Sequence, residues 1–296
     1  MEHITNGKIE QNCPTAVTLG NFDGVHMGHR KLIETAKKYA EKENLKSVVF
    51  TFKPHPMFIF GNRENNALIM SPDEKKIAVE KMGVDTYIEY PFDREFASMS
   101  PEDFAIKIVF EKLKCKVLVV GYDYRFGKMN KGDYKLLESL GKQYGVKTVF
   151  IPNVIYEGER VSSTRIRDRL VNKDVDGANR MLTQPYYFPP NGVYATATVY
   201  EGKLYYGMTN VGYNPTVNGK RKTVETNLFD FDKVIYGEPI LTFFFKWLRD
   251  ENKFESVEAL RQQLTRDIVN AKEYFLSEEY KYWKENVESE YKTVEK

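Results

Sequence analysis

Ala16-Val17-Thr18-Leu19-Gly20-Asn21-Phe22-Asp23-Gly24-Val25-His26-Met27-Gly28-His29 is the stretch on which the fold of the front half turns. Its first four residues read as a short β-strand, while Leu32, Ile33, Ala36, Tyr39 and Ala40 just beyond keep the spacing of a helix face. Between them lies a strand-to-helix turn with three glycines. Such a turn lets backbone approach a ligand, and the free N–H groups at the helix start attract phosphate. His26 and His29, three residues apart, add N–H donors toward the same anion, and they are two of only 4 His in the chain. A glycine-rich turn alone also serves packing; the histidine pair within it is what points to an anion site.

Further along, Ser47 to Phe52, Thr86 to Tyr90, Lys116 to Val120 and Lys147 to Ile151 are short apolar runs separated by amphipathic segments. Ser100-Pro101-Glu102-Asp103 reads as an N-cap with proline at the first helical position. This alternation predicts an α/β domain, a parallel sheet wrapped by helices, over residues 1–184. After Pro185 the texture changes to alternating runs, Val193 to Val199, Thr223 to Phe229 and Ile240 to Trp247, with Asn-Gly and Glu-Gly pairs between them. That pattern predicts an antiparallel sheet or small barrel over 185–296. It closes with a helix from Ser256, striped by Val257, Leu260, Leu264, Ile268 and Ala271, and a polar tail expected to be solvated.

A chain of 296 residues favours two domains of medium size. Apolar residues make up 42% and aromatic ones 14%, too much for a disordered chain. The formal charge of +2, leaning basic in the front half, argues against a nucleic acid or a membrane surface as partner and leaves room for one local anion site. Cys13 and Cys115 stand in unrelated contexts, which suits a reducing compartment, and cytoplasmic localisation is expected. No signal-peptide pattern opens the sequence, and no apolar run is long enough to span a bilayer.

Thr51-Phe52-Lys53-Pro54-His55-Pro56 and Val119-Val120-Gly121-Tyr122-Asp123-Tyr124-Arg125-Phe126-Gly127 each close a predicted strand, where open α/β sheets collect ligands. Val161-Ser162-Ser163-Thr164-Arg165-Ile166-Arg167 reads as a hydroxyl-rich helix start followed by arginines, a second place for phosphate oxygens. Phe60 and Phe126 have flat rings able to stack on a planar ligand. Singly, each has a plain structural reading as proline turn, capped helix or core aromatic. Their joint placement favours a site.

The two-histidine turn alone would also suit cytidylyltransferases, pyridine-nucleotide adenylyltransferases or class I aminoacyl-tRNA synthetases. With the other segments, the sequence resembles the bacterial bifunctional riboflavin kinase/FMN adenylyltransferases, or FAD synthetases, over nearly its whole length. The resemblance implies a Rossmann-like nucleotidyltransferase domain in front and an incomplete, β-barrel-like riboflavin kinase domain behind. It implies that ATP is held by Gly20, Asn21, Phe22, Asp23, Gly24, His26, Gly28 and His29 together with Ser162, Ser163, Thr164 and Arg167. Flavin then falls to His55, Phe60, Asp123 and Phe126. His26, His29 and Arg167 are the implied catalytic residues of AMP transfer from ATP to FMN, giving FAD and pyrophosphate. Mg²⁺ is expected with ATP, its protein ligands unassigned.

In the back half, Asn210 to Thr216, Val224-Glu225-Thr226-Asn227, Phe229-Asp230-Phe231 and Tyr236-Gly237 resemble the kinase module, with Glu225 in the place of the base that takes the ribityl hydroxyl proton. Kinases of the family carry a P-T-A-N segment that holds Mg²⁺ and ATP phosphates. None occurs here: only eight residues separate Leu182 from Asn191-Gly192-Val193-Tyr194-Ala195, and Asn227 stands where relatives commonly have His. Phosphoryl transfer depends on positioning and metal-assisted charge neutralisation, so a base without that cradle is idle. The resulting expectation is a working adenylyltransferase with Glu225 as a relic. The alternatives are a fully bifunctional enzyme and a non-catalytic flavin-binding regulatory protein, with the oligomeric state left open.

Overall fold

A computed structural model describes residues 1–60, 68–182, 189–216 and 219–284, with the backbone alone over 213–216 and 219–222. The chain divides into two compact units, Met1–Ser163 and Thr164–Lys296. In the first, six strands form one parallel sheet: β1 (Glu2–Ile4), β2 (Thr15–Leu19), β3 (Lys46–Lys53), β4 (Thr86–Pro91), β5 (Cys115–Gly121) and β6 (Lys147–Ile151), in the order β1-β4-β3-β2-β5-β6. Five of these lie within one residue of the runs expected from sequence. Only β1, a three-residue edge strand, has no such run.

β2 is buried along its whole length because both faces are covered. Val17 and Leu19 pack with Phe104, Ile108 and Leu137, whereas Ala16 meets Ala36 and Ala40 of helix α1 (Met27–Glu43). Helices α2 (Met57–Phe60) and α3 (Pro72–Lys81) follow β3. Ser100 Oγ accepts the Asp103 N–H at 3.0 Å and starts α4, which runs over Pro101–Asp103 and continues in π form over Phe104–Lys112. Through α4 the chain passes from β4 to β5, from one side of β2 to the other. The strand order therefore reverses between β2 and β5, the kind of switch point at whose C-terminal strand ends open α/β sheets bind ligands. Helix α5 (Tyr134–Tyr144) and the short hairpin of β7 (Ile155–Tyr156) and β8 (Glu159–Arg160) complete the unit.

Helix α6 (Ser163–Val171) leads into the second unit, followed by α7 (Val175–Leu182), strands β9 (Gly192–Tyr200), β10 (Lys203–Thr216), β11 (Gly219–Leu228) and β12 (Leu241–Arg249), and α8 (Val257–Leu276). The order β11-β10-β9-β12 is antiparallel throughout. Among the described residues the sheet is open, with β11 and β12 at its edges, so of the two expected forms it is the antiparallel sheet and not a closed barrel. Within the second unit α7 packs against β12, where Asn179 Nδ2 donates to Phe244 O at 3.0 Å beside a bulge. Residues 185–188 of the boundary segment read from the sequence lie outside the described residues.

Ser256 caps α8, its Oγ accepting the Ala259 N–H. The expected stripe holds only in part, since Val257 and Leu260 are exposed while Ala271 and Tyr274 pack on Ala195, Ala197, Phe243 and Phe245. The tail is also not simply solvated: Tyr280 and Trp283 enter the same core, and Trp283 Nε1 donates to Asp176 Oδ1 at 2.9 Å.

Candidate active site

The turn after β2 carries backbone that most side chains avoid. Phe22 (φ 51°), Gly24 (φ 87°) and Val25 (φ 40°) all have positive φ, and for a β-branched valine this is real strain. Strain of that kind persists where surrounding contacts over-determine it. Here they do. Phe22 and Val25 are buried, Asp23 Oδ1 accepts the N–H groups of Ile69 (2.9 Å) and Met70 (3.2 Å), and Ser163 Oγ donates to Asp23 O at 2.9 Å. The Asn21 carbonyl accepts from Thr51 Oγ1 (3.1 Å) and from Lys75 Nζ (3.2 Å). Asn21, Asp23 and Ser163 thus act first on the geometry of the turn.

His26 is the N-cap of α1, its Nδ1 accepting the His29 N–H at 3.3 Å. That bond leaves the His26 proton on Nε2 as a neutral donor. The two imidazoles stack with centroids 3.6 Å apart, and His29 meets Phe22 edge-on. A Cβ on Gly28 would stand 3.2 Å from the His26 ring, so this glycine admits the stack. Burial, with the nearby Arg160 charge adding to it, lowers the His26 pKa to about 4. Burial, His26 and Lys75 hold His29 well below the usual histidine range. Both rings are therefore neutral near pH 7 in the free protein. His29 Nδ1 is buried without a hydrogen-bond partner among the described residues, a group that a phosphate oxygen would satisfy.

The remaining sequence candidates fall into place unevenly. Asp123, at the end of β5, is ion-paired with Arg160 on β8. His55 Nδ1 accepts the Met57 N–H at 3.2 Å, shaping the turn before α2, and Phe60 at the end of α2 is 66% exposed beside Phe92. Phe126 is different. Only 5% exposed, it packs between Phe104 and Tyr124 in the core, so the structure gives its ring no free face. Ser162 directly precedes α6, while Thr164 and Arg167 lie on α6 within the second unit. Glu225 is exposed on the edge strand β11, paired with Asn210 of β10. Arg160 and Lys75 escaped the sequence reading. Arg160 lies in a short polar hairpin and Lys75 in an acid-rich helix start, so neither carries a motif.

The residues of the two units also match known families separately. A family model of FAD synthetase matches residues 8–165, and one of riboflavin kinase matches 168–275. The chain belongs to the bifunctional riboflavin kinase/FMN adenylyltransferase family. Members bearing that description include a Bacillus subtilis protein 33% identical over 300 residues, covering 90% of this chain and 94% of its own length. One from Escherichia coli K12 is 32% identical over 302 residues, covering 92% and 96%. A crystal structure described as a macrolide-efflux protein from Streptococcus pneumoniae superposes with a TM-score of 0.80 at 29% identity, over 92% of this chain and 99% of that one. Among the described residues no helix of the present chain is long and apolar enough to cross a membrane.

Among the described residues no three His, Cys, Asp or Glu side chains converge in a manner suited to a metal ion. A Mg²⁺ that arrives with ATP needs few protein ligands, because phosphate oxygens and water fill most of its octahedron.

Proposed function

We propose that the first unit transfers AMP from ATP to FMN, giving FAD and pyrophosphate. The observation that carries this reading is the stacked, neutral His26–His29 pair at the start of α1, directly after β2 where the strand order reverses, in the part of the chain that matches FAD synthetase. An FMN phosphate oxygen attacks the α-phosphorus of ATP. A new P–O bond forms there, the bond to the bridging oxygen of the β-phosphate breaks, and pyrophosphate leaves with that electron pair. No covalent nucleophile from the protein is needed. Its task is to align two anions and to stabilise the charge that grows on the leaving group.

His26 Nε2–H, the His29 ring and the positive end of α1 supply that stabilisation without adding charge to the free site. In this reading Gly20, Phe22, Asp23 and Gly24 shape the phosphate turn, and Ser162, Ser163, Thr164 and Arg167 serve the β- and γ-phosphates. His55, Phe60 and Asp123 border the flavin, and Phe126 supports that border from the core. Mg²⁺, when bound with ATP, neutralises phosphate charge. The free thiols of Cys13 and Cys115 accord with a cytoplasmic enzyme.

We also propose that the second unit makes no FMN from riboflavin. Its support is the lack of any P-T-A-N sequence in the chain, with Glu225 left on an open sheet edge. The match of residues 168–275 to riboflavin kinase favours the rival bifunctional reading. Purified protein given ATP and Mg²⁺ with either FMN or riboflavin separates the two. FAD from FMN and no FMN from riboflavin supports both proposals. FMN formation at a rate near that of FAD synthesis, abolished by Glu225→Gln, refutes the second, and no FAD from FMN refutes the first.

A further inference from the structure

Lys75 is only 7% exposed, an unusual place for an ammonium, which stays in water unless other groups compensate its burial. The start of α3 explains how it gets there. Pro72 follows the Ser71 N-cap, and Ser71 and Glu74 form a reciprocal capping box, so the helix begins at a fixed point. Lys75, one turn in, is delivered over the end of β3. There Nζ donates to the Asn21 carbonyl at 3.2 Å and reaches Thr51 Oγ1 at 3.3 Å, while Thr51 Oγ1 itself donates to the same carbonyl.

With two donors on it, the Asn21 carbonyl has its acceptor capacity filled and its place in the turn fixed. The same segment grips the turn a second time through the Ile69 and Met70 N–H groups on Asp23. Burial lowers the Lys75 pKa from the usual lysine range, and the charged groups acting on the ammonium come from several elements: Glu89 of β4 and Asp23 of the turn favour its charge, Lys53 of β3 opposes it, and His29 of α1 feels it. Glu89 is itself engaged by His3, Tyr87 and Lys53.

We propose that Lys75 is a positioning residue of the nucleotide site, which clamps the Gly20–Val25 turn through the Asn21 carbonyl and sets a fixed positive charge beneath the bound phosphates. The proposal takes its ligand from the adenylyl-transfer reading. It accounts for a buried lysine whose nearest acceptors belong to the phosphate turn and to the strand beneath it.

The test compares Lys75→Met, which keeps length and removes the charge, with Lys75→Arg, which keeps the charge, in the full chain. Affinity for a non-hydrolysable ATP analogue is measured by calorimetry, and FMN affinity by flavin fluorescence. Lys75→Met is expected to weaken the analogue by about 10- to 100-fold, with FMN affinity held within about twofold and the KM for ATP raised in parallel. Lys75→Arg should recover part of the loss. The His29 ring, followed by NMR, should titrate at higher pH in Lys75→Met than in the wild type, because a charge that opposed its protonation is gone.

Analogue affinity within about twofold of wild type in folded Lys75→Met overturns the proposal. So do equal losses of analogue and FMN in both variants. If Lys75→Met does not fold, Lys75→Arg decides alone: a loss confined to the analogue supports the clamp, and an equal loss or none refutes it. Wild-type protein that binds the analogue yet forms no FAD would remove the proposed reaction while leaving the clamp standing.

Discussion

Protonation of His26 should loosen the first unit in acid, by an amount that follows from its environment. The ring is 6% exposed and its pKa is lowered to about 4, whereas an unfolded chain titrates it at the model-compound value of 6.5. Below pH 6.5 the unfolded chain takes up a proton that the folded one refuses, so stability present above 6.5 is lost as the pH falls toward 4. Linkage puts the loss from this one group at about 2 kcal/mol at pH 5 and about 3 kcal/mol at pH 4. His29 pushes in the same direction.

The control is His26→Asn, which keeps an N-cap oxygen for the His29 N–H and removes the titration. Urea unfolding of both proteins, followed by far-UV circular dichroism between pH 7.5 and 4.5, gives the comparison. The wild-type curve should fall more steeply below pH 6.5, by roughly 4–8 °C in Tm at pH 5 if heat replaces urea. Parallel pH profiles for the two proteins would show that His26 is not buried and neutral in the way its cap geometry implies.

His29→Ala should lower the turnover of FAD synthesis by about 10²-fold, the scale for losing one preorganised donor, while FMN binding by fluorescence persists; unchanged turnover would remove His29 from the site. Arg167→Lys should raise the KM for ATP and lower turnover, because a point charge replaces a planar fork, and equal steady-state kinetics would count against a phosphate role. Asp23→Ala should destabilise the protein by about 3 kcal/mol by leaving the Ile69 and Met70 N–H groups without an acceptor, whereas Asp23→Asn, which keeps one oxygen, should lose less; equal unfolding midpoints for the two variants would contradict this.

The parallel sheet was legible in the sequence because a strand buried on both faces reads as a continuous apolar run whatever lies around it, as Val48 to Phe50 and Val117 to Val120 do. The turn after β2 was legible for a similar local reason: glycines, a cap residue and paired histidines sit within ten positions. β10 was not. Its 14 residues include Gly207, Asn210, Gly212, Asn214 and Pro215, which read as turns, and it becomes a strand because β9 and β11 pair with it on both sides.

Whether an aromatic ring lines a site or fills a core is likewise undetermined by its identity. Phe60 and Phe126 looked alike as candidate stacking partners, yet Phe60 stands exposed, and Phe126 is sealed between Phe104 and Tyr124. Lys75 reads in sequence as one more solvated cation in a charged helix. Its place beneath the turn exists only once α3 has docked over Thr51, because the contacts that compensate its burial come from residues 24 and 54 positions away. Local pattern determines which backbone forms at the turn; long-range packing decides which side chains are taken out of water to hold it.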